Sequence, residues 1–191
     1  NLDFASALEL MTKYVDLMLK YNMSCKVPFE GNGGIERYIE LIREYYHKDG
    51  FTAYALYYEP TGSGYEGVQT NVNLPLLKEY LRALVHASVE DGVNYLDKAY
   101  AYFYTDVDEP ASEKQFLDAK QTIDLYFQML FDCDTELREE YVGTLDYDYY
   151  INVISPVLVN IPDVIPGAYD IEDVKNYGLD NRTVCPVLHA F

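Results

Sequence analysis

The acids of this chain gather where its candidate strands stop. Residues 99–105 (AYAYFYT) form a run of small and aromatic residues with strand character, closed by Asp106, Asp108 and Glu109 and then by Pro110, which cannot extend a ladder. Ser112 with Gln115 three residues on has the spacing of a capping box, so a helix is predicted to open at once. Residues 51–58 (FTAYALYY) repeat the pattern and end at Glu59-Pro60. Set side by side, the predicted strand tips carry Glu30, Glu59, the Asp106/Asp108/Glu109 group, Asn160 and His189. In α/β barrels and open α/β sheets such tips lie on one edge, where ligands bind. Carboxylates crowded together repel, which lifts the pKa of at least one, and aromatic walls lift it further by desolvation. One acid able to protonate a leaving oxygen beside one anion able to steer a developing cation is what glycoside hydrolysis requires. The candidate site residues are therefore the strand-tip acids Glu59, Asp106, Asp108 and Glu109, with Tyr58 and Tyr104 beside them, and the pattern by itself does not single out one acid among them. The plainer role for any one of these acids is a helix N-cap or a loop ion pair.

The elements that must hold these tips alternate along the chain. Phe4, Leu8, Met11, Val15 and Met18 share one face of a first helix. A strand-like run over 24–29 follows, then a Gly31-Asn32-Gly33-Gly34 loop that lacks either phosphate-binding spacing. A second helix over about 34–48 carries Ile35, Tyr38, Ile39, Ile42 and Tyr46 inward and closes at Asp49-Gly50. After the strand over 51–58, a polar loop over 61–72 leads to a third helix. Asn73 caps that helix, Pro75 sits in its first turn, Leu77, Leu81, Leu84 and Val85 form its core face, and Asp91-Gly92 ends it. Beyond the acid-tipped strand, a fourth helix is predicted over 112–131, with Phe116, Ala119, Ile123, Phe127 and Leu130 inward. An acidic turn at 132–134, a short helix through Glu140, a strand over 149–159 broken by Pro156, a short helix over 171–177 and a last strand over 183–188 complete the order.

Strands alternating with amphipathic helices imply parallel pairing through right-handed crossovers. The expected fold class is α/β, built of parallel β/α units that form part of a (β/α)8 TIM-type barrel, with an open doubly wound sheet as the alternative. Five units do not close an eight-stranded barrel. The chain, which opens Asn-Leu-Asp, is accordingly expected to be a single α/β domain over 1–191, a fragment of a larger catalytic barrel. An unclosed sheet has two bare edges, so self-association or a missing barrel half is expected to cover them.

Composition narrows the partners. The 191 residues carry a formal net charge of −18 with a pI near 4.3, which argues against nucleic acid and an anionic membrane surface as partners. Cys25, Cys133 and Cys185 are far apart and odd in number, which fits neither a disulfide framework nor a zinc spacing. His47, His86 and His189 have no paired metal spacing. Asp132, Asp134 and Glu136 alternate like a calcium loop but lack its glycine and closing glutamate. No metal and no cofactor are therefore expected. Tyrosine is abundant at 21 residues, with 8 Phe and no Trp, and its apolar face with a polar tip suits both packing and the rim of a sugar site.

A resemblance extends this reading. Residues 80–85 (YLRALV), 95–100 (YLDKAY) and 108–110 (DEP) together resemble bacterial proteins of glycoside hydrolase family 123 and their DUF4091 relatives, most clearly over residues 74–130. The resemblance implies a (β/α)8 domain acting on 2-acetamido sugars, in which the substrate's own acetamido oxygen attacks the anomeric carbon. It further implies that Asp108 orients and polarises the acetamido group and that Glu109 is the general acid/base. It points to a secreted, periplasmic or cell-surface bacterial protein, with the cytoplasm left open. The family's hydrolases carry tryptophans in the sugar pocket, whereas this chain has none. That departure raises the alternative of a non-catalytic carbohydrate-binding or scaffold protein on a degenerate barrel.

Overall fold

A computed structural model describes residues 4–21, 23, 34–57, 64–70, 72–102 and 113–164. Helix α1 spans Phe4–Lys20, and its Val15 and Met18 are buried as the helical spacing requires. It rests on α2 (Gly34–Tyr45), whose Tyr45 hydroxyl donates to the Thr12 carbonyl and to Asp16 Oδ1. Tyr38, Ile39, Ile42 and Tyr46 are buried, the expected inner face. Strand β1 (Tyr54–Ala55) is shorter than its aromatic run, and the hairpin β2 (Gly64–Tyr65) and β3 (Val68–Gln69) interrupts what reads in sequence as a plain polar loop. The two residues between the hairpin strands, Glu66 and Gly67, both have positive φ (49° and 78°), the conformation that a two-residue turn joining twisted strands demands.

Helix α3 (Leu74–Asp91) follows its sequence signals closely. The Asn73 side chain accepts from the Leu76 amide, Pro75 occupies the first turn, and Gly92 closes the helix at φ 64°. Leu77, Leu81, Leu84 and Val85 are fully buried. Each such side chain contributes roughly 1.5–3 kcal/mol by leaving water. A 3-10 turn over Tyr95–Lys98 then feeds β4 (Ala99–Tyr102). Helix α4 (Glu113–Tyr141) buries Ile123, Phe127 and Leu130 against α3. Outside that seam, Lys78, Arg82 and His86 of α3 face Glu136 and Glu140 of α4. These half-exposed pairs set the helix register more than they add stability.

Two sequence expectations are corrected here. The acidic turn at 132–134 does not exist, because α4 runs on unbroken to Tyr141. Cys133 and Leu137 fall on its buried face, and Asp134 is held by the Arg138 guanidinium one turn later. The strand expected over 149–159 is helical instead: α5 (Tyr147–Tyr149), a π-turn over Tyr150–Ile154, and α6 (Ser155–Leu158). Tyr150, Ile154 and Leu158 are its fully buried residues, and their spacing of four is a helical face that the β-branched composition masks. The Ser155 amide reaches back five residues to the Tyr150 carbonyl, and this wider turn lies just ahead of Pro156, which has no amide to continue the ladder.

The third strand of the sheet is β5 (Asp163–Val164), a segment the sequence reading passed over. The sheet order is β1-β4-β5 and both pairings are parallel, with register Tyr54↔Ala99, Ala55↔Tyr100, Ala101↔Asp163 and Tyr102↔Val164. The molecule is thus a mixed α/β protein, mostly helical around a small parallel sheet, and the sheet does not close into a barrel among the described residues. The expected strands at 24–29 and 183–188 and the helix at 171–177 lie outside the described residues.

Candidate functional site

The sheet has two edges of opposite character. At the edge where strands begin, polar groups lock the chain in place. The Lys98 ammonium donates to the Tyr46 carbonyl at 2.8 Å and lies 4.3 Å from the centre of the Tyr46 ring. The Tyr46 hydroxyl bonds the Asp97 carboxylate and the Asn94 carbonyl. Burial, followed by the bond to Asp97, pushes the Tyr46 phenol well above its ordinary range. Tyr54 donates to the Tyr95 carbonyl at 2.9 Å, and Tyr95 donates to Asp91 Oδ2 at 2.9 Å. Asp91 also accepts from Arg43 Nε at 2.6 Å, and this guanidinium holds its carboxyl below the usual carboxylate range. Asp97 and Lys98 of the LDKAY run therefore pin the start of β4 to the end of α2, and both are structural residues.

The opposite edge is where β1, β4 and β5, running parallel, all end. The six sequence-predicted site residues, Tyr58, Glu59, Tyr104, Asp106, Asp108 and Glu109, lie outside the described residues, as do Glu30 and His189. Asn160 is described and is not a strand tip; it lies in the turn that follows α6, its side chain donating to the Pro156 carbonyl at 2.8 Å. The described neighbours of this edge are aromatic. Tyr57, two residues beyond β1, places its ring 4.3 Å from that of Tyr80 in the second turn of α3, the planes inclined at 32°. Tyr80 in turn meets Tyr38 of α2 edge-on at 5.1 Å. Tyr38 and Tyr80 are buried, while Tyr57 is half-buried. Burial pushes the Tyr80 and Tyr38 phenols upward. Tyr57 was absent from the sequence-derived set. The signal for it was parity: residues 55 and 57 share a strand face, and only the observed start of β1 fixes which face that is.

The β2–β3 hairpin lies in the connection that follows β1. Its buried Tyr65 donates to Asp132 Oδ2 on α4 at 2.6 Å, and Gln128 holds the other oxygen of that carboxylate at 2.8 Å. Asp132, one of the acids suggestive of a calcium loop, is thus a hairpin anchor. Its companion Asp134 is nearly buried and accepts from Tyr150 Oη at 2.7 Å and Arg138 Nε at 2.6 Å. Among the described residues no three His, Cys, Asp or Glu side chains gather to hold a metal ion. No helix among them is long and apolar enough to cross a membrane.

A shallow groove of about 420 Å³ lies between α2 and α3, floored by Ile35, Ile39, Ala83 and Ala87. Its rim carries Glu36, Glu40, Arg43, His86 and Glu90; Arg43 pairs with Glu90 and with Asp91, Glu40 with Arg37, and His86 with Glu140. No family model, curated protein or solved structure matches the chain.

Proposed function

We propose that this chain is a glycoside hydrolase-like domain acting on 2-acetamido sugars, with Asp108 and Glu109 as its working pair. The observation that carries the reading is the parallel pairing of β1, β4 and β5. Parallel strands end on a common edge, and the residues that follow β1 and β4 in sequence are Tyr58-Glu59 and Tyr104 through Glu109. The polar lock at the other edge accounts structurally for the acids there. In this reading the acetamido oxygen closes on the anomeric carbon as the glycosidic bond breaks, Glu109 protonates the departing oxygen, and Asp108 holds the acetamido N–H. Glu109 then takes a proton from the water that opens the cyclic intermediate. Glu59, Asp106, Tyr58 and Tyr104 line the sugar, no cofactor takes part, and the partner is a carbohydrate. The (β/α)8 closure, whether by more of the natural chain or by a second copy, belongs to the same proposal.

The test is hydrolysis of aryl 2-acetamido glycosides beside their 2-hydroxy counterparts by the full natural protein. Release from the 2-acetamido series alone, abolished in Glu109→Gln, is expected. Equal release from both series refutes substrate assistance and points to an enzyme carboxylate such as Glu30 or Glu59. The absence of tryptophan favours a second reading, a carbohydrate-binding or scaffold protein without turnover. Binding without release from either series is its signature.

A further inference from the structure

Resting on the carbohydrate reading above, we propose that Tyr57 is a sugar-stacking residue of the same sheet edge. Two tyrosines bracket this strand end and behave differently. Tyr54 is fully buried, its ring stacked on Phe51 at 5.8 Å and its hydroxyl bonded to the Tyr95 carbonyl. Tyr57, three residues on, keeps part of its surface in solvent. Behind it stand Tyr80, 4.3 Å away between ring centroids, and Tyr38, which meets Tyr80 edge-on with planes at 79°. Both supporting rings are almost wholly buried, at 4% and 3% exposure, so Tyr57 is the one member of the trio with appreciable surface to offer. A ring fixed from behind by packing loses little freedom when a ligand settles on it, which is the preorganisation a binding residue needs. An amphipathic ring matches a pyranose, whose C–H face is apolar and whose hydroxyls point to the rim. In sequence Tyr57 stands two residues before Glu59, one of the acids of the proposed site.

The test is calorimetric titration of the full natural protein, in a Glu109→Gln background that prevents turnover, with N-acetylchitotetraose and with cellotetraose. Tyr57→Leu keeps an apolar group against Tyr80 and is expected to bind N-acetylchitotetraose about tenfold more weakly, a loss of the size a single aromatic contact produces, with its thermal midpoint unchanged. Tyr57→Phe is expected to bind as the parent does. Equal affinity of Tyr57→Leu and the parent overturns the assignment while leaving the carbohydrate reading in place. No binding of either sugar by the parent overturns both. Should Tyr57→Leu fail to fold, the ultraviolet difference spectrum of tyrosine on sugar addition decides: it is expected to lose amplitude in Tyr57→Phe, and an unchanged spectrum refutes the assignment.

Discussion

Removing the Tyr150 hydroxyl tests how the third strand is held. Tyr150 is fully buried, and its hydroxyl donates to Asp134 Oδ1 at 2.7 Å. Asp134 is 6% exposed and receives Arg138 on its second oxygen, while Arg138 also donates to Ser155 Oγ at 2.5 Å. This network ties α4 to the helical segment that leads through Ile161 into β5. A buried hydrogen bond to a charged group contributes about 1.5–3 kcal/mol, so Tyr150→Phe should cost about 1.5 kcal/mol at neutral pH. Asp134→Ala should cost about 3 kcal/mol, since it also leaves the phenol without its carboxylate in a dry site; the loss of Arg138, which is 46% exposed, adds little. In the Asp134→Ala background, Tyr150→Phe should cost almost nothing, giving a coupling of about 1.5 kcal/mol in the double-mutant cycle. Urea unfolding followed by far-ultraviolet circular dichroism reads these values, with the midpoint of Tyr150→Phe falling by about 0.7 M at an unchanged slope of roughly 2 kcal/mol per M. A cost below about 0.5 kcal/mol, or an equal cost in both backgrounds, would refute the network.

Three further outcomes follow from the lock at the strand-starting edge and from the core. Lys98→Met removes the bond to the Tyr46 carbonyl and should destabilise by about 1 kcal/mol, less in a Tyr46→Phe background where the Asp97 bond is already gone; chemical unfolding of the two singles and the double measures this. The Arg43 bond depresses the Asp91 pKa in the folded state, so its contribution is fully present above the ordinary carboxylate pKa and is lost as pH falls through the folded value. Arg43→Met should therefore lose about 0.5–1 kcal/mol at pH 7, and the difference from the parent should vanish in strong acid when unfolding free energies are compared across pH. Burial pushes the Cys133 thiol up to about 12, so with Cys25 and Cys185 replaced by serine it should not react with Ellman's reagent at pH 8 until urea unfolds the chain; rapid labelling of the folded protein would contradict its place in the core.

What the sequence made legible was whatever local signals determine. Asn73, Pro75 and Gly92 bracket α3 because a cap, a preset φ and a left-handed closing residue act within a few positions of themselves. The inner faces of α2, α3 and α4 could be read from helical spacing for the same reason. The failures came where local composition and tertiary context disagree. Residues 149–159 are rich in β-branched and aromatic side chains, yet Tyr150 finds its partner in Asp134, sixteen residues earlier, and that bond belongs to a helix. Strand β5 is only two residues long, and parallel pairing with β4, sixty residues away, creates it; nothing within Asp163–Val164 announces it. The β2–β3 turn at Glu66-Gly67 lacks the Asn-Gly or Asp-Gly pair that marks such hairpins, and with Gly62 and Gly64 just before it the stretch reads as a uniform loop.

The proposed site residues lie outside the described residues, so the comparison with the sequence reading rests on the acids that are described. Acids placed after aromatic runs can be read from sequence because strand-ending prolines and caps mark where each run must stop. Which acids serve the fold and which remain for chemistry cannot be read that way. Asp91, Asp97, Asp132 and Asp134 look no different in sequence from Asp106 or Asp108, yet each of the four accepts a hydrogen bond from a tyrosine hydroxyl. The abundance of tyrosine thereby acquires a structural meaning: in a chain of net charge −18, phenols are neutral donors that secure carboxylates, alone at Asp97 and alongside an arginine at Asp91 and Asp134. The same economy sharpens the functional question. An aspartate that accepts from a tyrosine hydroxyl already has a place in the fold. That accounts structurally for Asp91, Asp97, Asp132 and Asp134, and the proposed proton donor, Glu109, is tested by the Glu109→Gln variant.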